Sequence, residues 1–166
     1  MKISHLVIAA MGTMALAAPV MADDSSGSSS TPTPEQQCRT EQTQMGWEIA
    51  PDGLRDTLIG LHADYAPREI VISENGAAYP DAVDADQQVH DDRRVSYLAR
   101  HVAAAADAMA AGVPLTGYHT WSVLDNYEWS LGYTRRFGLM RVDFETQRRT
   151  RKDSADWYAR LIAAGR

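Results

Sequence analysis

Glu74 is the residue of this sequence whose type and position are best suited to chemistry. It follows the β-branched run 70–72 and precedes Asn75 and Gly76, so the pattern predicts a buried strand that delivers one carboxylate to a tight turn. Barrel enzymes keep catalytic groups at the carboxyl ends of their strands. An ordinary hairpin with an exposed Glu has the same local pattern, so this segment alone leaves both interpretations open.

The segment 121–129 supplies a second carboxylate, Glu128, together with the indoles of Trp121 and Trp129. Sugars stack their apolar C–H faces on tryptophan and donate hydroxyl hydrogen bonds to carboxylates. A carboxylate held under such a platform can attack an anomeric carbon. The alternative is that the indoles fill a core and Glu128 lies at the surface. The polar neighbours, among them Asp125, weaken that alternative because they would be poorly solvated in a dry core.

Helical and strand periodicities alternate along the chain and would position these side chains. The patterns predict helices over 52–65, from Asp91 or Asp92 to Gly112, and from Asp153 to Gly165, strands over 69–73 and 115–122, and a small hairpin over 137–150. Strands that alternate with helices are expected to be parallel, and ligands bind at their carboxyl ends. The second helix is predicted to bury the stripe Val95, Leu98, Val102, Ala105 and Met109, and the last helix Tyr158, Leu161 and Ile162.

Composition narrows the class of protein. With 166 residues and 45% apolar content, the chain is long enough for one domain but shorter than the ~250 residues of a complete (β/α)8 barrel. The net charge of -6 and the absence of a basic cluster argue against a nucleic-acid partner. The five histidines lack ligand spacing and Cys38 is the single cysteine, so we expect no metal, no other cofactor and no disulfide framework.

The N-terminus predicts the compartment. Lys2 is followed by the uncharged run 3–22, which is typical of a secretory signal peptide cleaved after Ala22 and is weakly apolar for a membrane span. The protein is therefore expected to be secreted or periplasmic if this signal is genuine, and cytoplasmic otherwise, with no membrane partner. Residues 23–44 are rich in Ser, Thr, Pro and Gln and are predicted to form a disordered linker before a folded part over 45–166.

The folded part resembles glycoside hydrolase family 1, the β-glucosidase family. The similarity rests on motifs in the order and spacing of the family's C-terminal third: Met45 to Ile49, Ser73 to Gly76, Asp91 to His101, Trp121 to Trp129, Gly132 to Leu139 and Lys152 to Tyr158. The fold that it implies is α/β, a partial (β/α)8 TIM barrel consisting of the last two β-strands and their flanking helices.

The resemblance also implies roles for individual residues. Glu74 matches the nucleophile of a retaining β-glycosidase of the β-glucosidase type, and Trp121 matches the platform on which the sugar stacks. Glu128 and Trp129 match the pair that binds the outer hydroxyls of a neutral sugar. A β-linked glucoside or oligosaccharide is the expected ligand. His119 is expected to be a packed strand residue without a catalytic role.

The family's acid/base Glu lies in an Asn-Glu-Pro motif, and these 166 residues contain no such motif. A retaining mechanism needs a second carboxyl group roughly 5 Å from the nucleophile, so the chain alone is expected to be inactive. A complementing N-terminal barrel fragment is a further partner to consider. Two alternatives stay open, a non-catalytic sugar-binding module and a non-functional gene remnant.

Overall fold

The computed structural model of the protein describes residues 6–9 and 41–165. The strands are β1 (Leu6–Ala9), β2 (Ile70–Asn75), β3 (Leu115–Thr120), β4 (Met140–Val142) and β5 (Arg149–Arg151). The helices are α1 (Pro51–Tyr65), α2 (Asp92–Ala110) and α3 (Asp153–Ala164). The helix and strand alternation predicted from residue 52 onward is confirmed, as is the hairpin, which β4 and β5 form in antiparallel pairing.

The sheet contains β1, β2 and β3 in that order, and all of its strands are parallel. β2 is central and pairs with β3 as predicted, whereas β1 is a strand that the sequence analysis did not predict. β1 lies within the predicted signal peptide, and the rest of residues 1–40 lies outside the described residues. The sheet does not close into a barrel within the part of the chain that the structure describes.

Residues 41–44, which the sequence analysis placed in the linker, pack against the folded part. Thr43 is buried, and the amide of Gln44 donates to the carbonyl of Ala78 at 3.0 Å. Gln42 forms an antiparallel bridge with Glu48.

One core lies between the sheet and the two longer helices. It is formed by Leu58, Ile70, Ile72, Ala105, Ala108, Val113 and Leu115. The predicted stripe of α2 is therefore only partly right, because Leu98 and Ala105 are buried whereas Met109 is 53% exposed. The buried face of α2 also carries Arg94 and His101, which hydropathy alone does not assign to a core because such side chains are usually exposed. In α3, Ile162 is likewise exposed.

A second core lies under the loops at the carboxyl end of the sheet. Its members are Ile49, Ala77, Tyr79, Tyr97, Leu98, Leu139 and Ala155, with Met140, Trp157 and Tyr158 packed against them. This core joins the loop that follows β2 to α2, α3 and the hairpin. The loops that carry the candidate site are thus supported by apolar packing below them.

His90 fastens the loop after β2 to the start of α3. Its Nδ1 lies 2.7 Å from a carboxylate oxygen of Asp153 and its Nε2 lies 3.3 Å from Asp84. The hydrogen bond with Asp153 and the charges of both carboxylates raise the pKa of His90.

No helix in the described part of the chain is long and apolar enough to span a membrane.

Candidate active site

Glu74 lies one residue before the carboxyl end of β2, the position predicted from the sequence. The pairing of β2 with β3 places Ile72 opposite Tyr118 and Asn75 opposite Thr120. Three steps along β2 therefore correspond to two along β3, so β2 carries one extra residue here. An extra residue of this kind is a β-bulge, and bulges next to functional sites re-aim side chains.

The bulge changes which way the end of β2 faces. Strict alternation would put Ile72 and Asn75 on opposite faces of the sheet. Instead Ile72 packs in the core beneath the helices, and Asn75 is buried and influences the pKa of Tyr97 on α2. Both side chains thus lie on the helix side, so the bulge redirects the residues between them, including Glu74.

Trp121 and Glu128 form a pair at the same end of the sheet. The indole Nε1–H of Trp121 donates to Oε1 of Glu128 at 3.3 Å, and Trp121 is 37% exposed. Burial raises the pKa of Glu128, the hydrogen bond from Trp121 opposes this, and the negative charges of Asp125 and Glu74 add to the rise. Glu74 therefore lies within electrostatic range of Glu128, and the structure brings these three predicted site residues together.

Trp129 differs from the other three. It opens a short 3-10 turn, Trp129–Leu131, with a positive φ of 46°, and its side chain is 81% exposed. The indole is thus available to a ligand or to another chain.

Close backbone contact locks the Trp121 segment to the end of β2. The amide of Trp121 donates to the carbonyl of Asn75 at 3.0 Å. A Cβ added to Gly76 would lie 1.8 Å from the carbonyl oxygen of Trp121, so only glycine fits there. The position of Trp121 relative to Glu74 is therefore set by the main chain.

Asp125 anchors the loop between Trp121 and Glu128 from below. Its carboxylate is fully buried and accepts from the amides of Gly138 at 2.9 Å and Val142 at 3.3 Å. It also accepts from Arg136 at 2.6 Å and from Lys152 at 3.0 Å. The sequence led us to expect that Asp125 would be poorly solvated in a core. This expectation is wrong, because the four donors satisfy its buried carboxylate in place of water.

A wider group of buried charges surrounds Asp125 and is named here the buried ion cluster. It consists of the cations Arg94, Arg136 and Lys152 and the carboxylates of Asp81, Asp91 and Asp125. Arg94 binds Asp81 at 2.9 Å and also contacts Asp91, while Lys152 bridges Asp81 and Asp125. The three positive and three negative charges balance, as buried charges must if they are to stay ionised.

Burial and nearby charges act in opposite directions within the buried ion cluster. Burial lowers the pKa of Lys152, and the positive charge of Arg94 adds to this, against the carboxylates of Asp81 and Asp125. Burial also acts to lower the pKa of Arg94, but the carboxylates of Asp81 and Asp91 have the larger effect, so the pKa of Arg94 is raised. No sequence pattern indicates this cluster, because its members are up to 71 positions apart and share no periodicity.

His119 is exposed on β3, so the expectation of a packed strand residue is wrong. A Cβ added to Gly117 would contact Val71 at 3.1 Å and the His119 ring at 3.5 Å. His119 and Val71 therefore share the face of the sheet opposite the helices, where nothing described covers them.

Among the described residues, no group of His, Cys, Asp and Glu side chains is arranged to hold a metal ion.

Comparison with known proteins identifies the family. The model of glycosyl hydrolase family 1 matches residues 11–166. The chain belongs to glycosyl hydrolase family 1. The resemblance read from the motifs is confirmed, and the family match begins earlier than residue 45, where those motifs begin.

The family 1 relatives of the chain are much longer than the segment that matches. Beta-glucosidase A of Thermotoga maritima is 48% identical over 121 residues, which are 73% of this chain and 27% of that protein. A bifunctional beta-D-glucosidase/beta-D-fucosidase of Bifidobacterium breve is 48% identical over 125 residues, 73% of this chain and 27% of that protein. A 6-phospho-beta-galactosidase of Streptococcus equi subsp. zooepidemicus is 44% identical over 123 residues, 74% and 26% respectively.

Solved structures of family 1 enzymes match the fold. The family 1 b-glucosidase from Thermotoga maritima in complex with isofagomine lactam superposes with a TM-score of 0.75 at 46% identity, over 75% of this chain and 28% of that chain. The same enzyme in complex with castanospermine gives 0.74 at 47% identity, with the same coverage. These neighbours are TIM barrels, so the predicted fold class, a partial (β/α)8 barrel, is confirmed.

Proposed function

We propose that this chain provides the nucleophile and the sugar-hydroxyl contacts of a retaining β-glycosidase of the β-glucosidase type. The observation that carries the proposal is the grouping of Glu74, Glu128 and Trp121 at the carboxyl end of a parallel sheet, where such folds bind ligands. Trp121 is the stacking platform, and Glu128 and Trp129 bind the outer hydroxyls of the sugar. The substrate is a β-linked glucoside or oligosaccharide.

In the proposed reaction, Glu74 attacks the anomeric carbon while the bond from that carbon to the leaving oxygen breaks. The leaving oxygen keeps the bonding electron pair and takes a proton from a second carboxyl group. The second carboxyl group, now a carboxylate, then takes a proton from a water molecule, whose oxygen attacks the anomeric carbon of the glycosyl ester and releases Glu74 as a carboxylate. Two inversions at one carbon retain its configuration.

The second carboxyl group must lie about 5–5.5 Å from the first. Glu128 is unsuited to this task because its carboxylate accepts the Trp121 indole hydrogen bond and is proposed to face the sugar hydroxyls. We propose that the acid/base group comes from polypeptide outside these 166 residues, in the form of a complementing N-terminal barrel fragment.

A surface suited to that fragment lies along β3. β3 is an edge strand of the described sheet, and a groove of about 260 Å³ runs beside it. The groove is lined by Val102, Ala105, Ala106, Met109 and residues 115–118. An open strand edge beside an apolar helix face favours a partner that adds a strand together with a packed helix.

The charge of the site favours neutral over 6-phosphorylated sugars, although relatives of both kinds exist. Glu74 and Glu128 lie within electrostatic range of each other, whereas the charge of Asp125 is balanced by Arg136 and Lys152. A phosphate dianion beside Glu128 would be repelled, and like charges juxtaposed in a binding site cost several kcal/mol.

Trapping of the glycosyl-enzyme tests the proposal. The chain is incubated with an activated 2-deoxy-2-fluoro aryl β-glucoside, whose good leaving group needs little acid assistance, and the intact mass is measured with Glu74→Gln as the control. A fluoroglucosyl adduct on the wild type alone supports the proposed nucleophile. Adducts on both proteins, or on neither while a full-length relative is labelled, contradict the claim that this chain provides a working nucleophile.

A non-catalytic sugar-binding module is the second candidate, because the Trp121–Glu128 pair forms within these residues and Trp129 is exposed. It predicts saturable binding of cellobiose without an adduct, and loss of binding in Trp121→Ala and Trp129→Ala. Since Trp129 is mostly exposed, its replacement should leave the free energy of unfolding within about 0.5 kcal/mol of wild type. Absence of both adduct and binding is the outcome expected of a non-functional remnant.

We also propose that the uncharged run 3–22 directs export to the periplasm or the medium. N-terminal sequencing of the protein recovered from those fractions should begin at Asp23. Recovery of the protein only from the cytoplasm, with Met1 or Lys2 at its N-terminus, would contradict export. Cleavage after Ala22 also removes β1, which pairs with β2, and would therefore open that edge of the sheet.

A further inference from the structure

Asn75, the neighbour of Glu74, is held by side chains from two other elements. It is buried, and its Oδ1 accepts the hydroxyl hydrogen of Tyr118 at 2.7 Å. Its side chain also lies near Tyr97 of α2, because it lowers the pKa of the Tyr97 hydroxyl against the effect of burial. The amide is thus fixed between β3 and α2, on the helix side of the sheet, immediately after the bulge.

The main chain of Asn75 makes the connection to the sugar platform. Its carbonyl accepts the amide of Trp121 at 3.0 Å. Tyr118 is itself held, because the hydroxyl of Tyr158 donates to its carbonyl at 2.9 Å. One residue therefore links Glu74, through the chain, to Trp121, and both to the packed helices.

The hydroxyls of Tyr97 and Tyr118 stay protonated over the pH range in which a glycosidase works. Burial raises the pKa of Tyr97 to about 12, and Asn75 acts in the opposite direction. Burial also raises the pKa of Tyr118 far above its usual value. Both groups therefore remain neutral partners for the amide.

We propose that Asn75 is a positioning residue, whose amide, clamped between Tyr97 and Tyr118, sets the orientation of Glu74 relative to Trp121. The clamp acts on the residue that ends the bulge, so it determines how far the bulge turns Glu74 out of the regular strand. The inference rests on the proposed function only in naming Glu74 as the nucleophile. The geometry of the clamp stands apart from it.

Hydrogen exchange in the full chain tests the clamp without any need for activity. The exchange rates of the backbone amides of Trp121 and of Ala104, in the middle of α2, are measured in wild type, Asn75→Ala and Tyr118→Phe. Tyr65→Phe is the matched control, because Tyr65 is 72% exposed. A side chain that only stabilises the fold would speed both amides by the same factor.

The clamp predicts that Asn75→Ala and Tyr118→Phe speed exchange of the Trp121 amide about tenfold more than that of the Ala104 amide, the factor expected for one net hydrogen bond. Tyr65→Phe should change neither rate. Equal acceleration of the two amides, or no acceleration, would overturn the proposal. If Asn75→Ala leaves Ala104 unprotected because it does not fold, Tyr118→Phe, which removes one hydroxyl, decides the question.

The rate of labelling by the activated fluoroglucoside separates the clamp from the proposed function. If wild type is labelled, Asn75→Ala should be labelled at least about tenfold more slowly, and labelling at the wild-type rate would overturn the clamp. If wild type is not labelled but the exchange rates differ as predicted, the nucleophile assignment fails and the clamp stands.

Discussion

Removing the charge of Asp125 is predicted to be far more damaging than removing the charge of a surface carboxylate. In Asp125→Asn the fully buried carboxylate becomes an amide, while Lys152, also fully buried, and Arg136 keep their charges. The buried ion cluster would then hold three cations and two anions. Breaking a buried pair by removing one partner costs about 3–5 kcal/mol, which is a large share of the 5–15 kcal/mol typical of a whole domain.

The effect is measured as the free energy of unfolding in urea, followed by tryptophan fluorescence. Asp156→Asn is the matched control, because Asp156 pairs with Arg151 at the surface and such pairs contribute about 0–1 kcal/mol. Asp125→Asn combined with Lys152→Met restores the balance of charge and should recover part of the loss. An Asp125→Asn protein as stable as Asp156→Asn would refute the reasoning that the cluster carries the loop.

Two further predictions concern the glycine beside Glu74 and the histidine at the start of α3. Gly76→Ala should destabilise the fold by about 1–3 kcal/mol, since its Cβ would overlap the carbonyl of Trp121. Gly53→Ala is the control in helix α1: the nearest atom to the added Cβ lies at 3.7 Å, and the change should stabilise the fold by about 0.5–1 kcal/mol. Thermal unfolding compares the two variants, and equal effects would contradict the close contact at Gly76. His90 has a folded pKa raised by Asp153 above the ordinary 6.5, so its contribution is fully present below about pH 6.5 and is lost as the pH rises through the folded value. The unfolding midpoint of wild type should therefore fall relative to that of His90→Gln as the pH increases from 6 to 8, and a constant difference would contradict the pairing.

Local patterns predicted most of the elements and the grouping of the site. The apolar run 70–72 predicts a buried strand, and the spacing of the leucines in 52–65 predicts a helix. Both predictions succeed because each pattern is contained within a single element. Glu74 and the segment after β3 then had to meet, since the carboxyl ends of adjacent parallel strands share an edge.

The features that were missed depend on contacts between distant residues. In the sequence, Asp125 resembles an exposed loop carboxylate. Its buried position depends on the contact with Lys152, which is 27 positions away. The bulge between Ile72 and Asn75 is visible only in the pairing with β3. β1 lies in a segment whose composition suggested export, and its strand form depends on the open edge of β2.

The central claim, that this chain provides the nucleophile of a family 1 site, is tested most directly in a chimera. Residues 45–166 replace the matching segment of beta-glucosidase A from Thermotoga maritima, which supplies the rest of the barrel, and hydrolysis of an aryl β-glucoside is measured with Glu74→Gln in the same chimera as control. We predict hydrolysis that Glu74→Gln abolishes. A folded chimera that is inactive, or one whose activity survives Glu74→Gln, would contradict the claim.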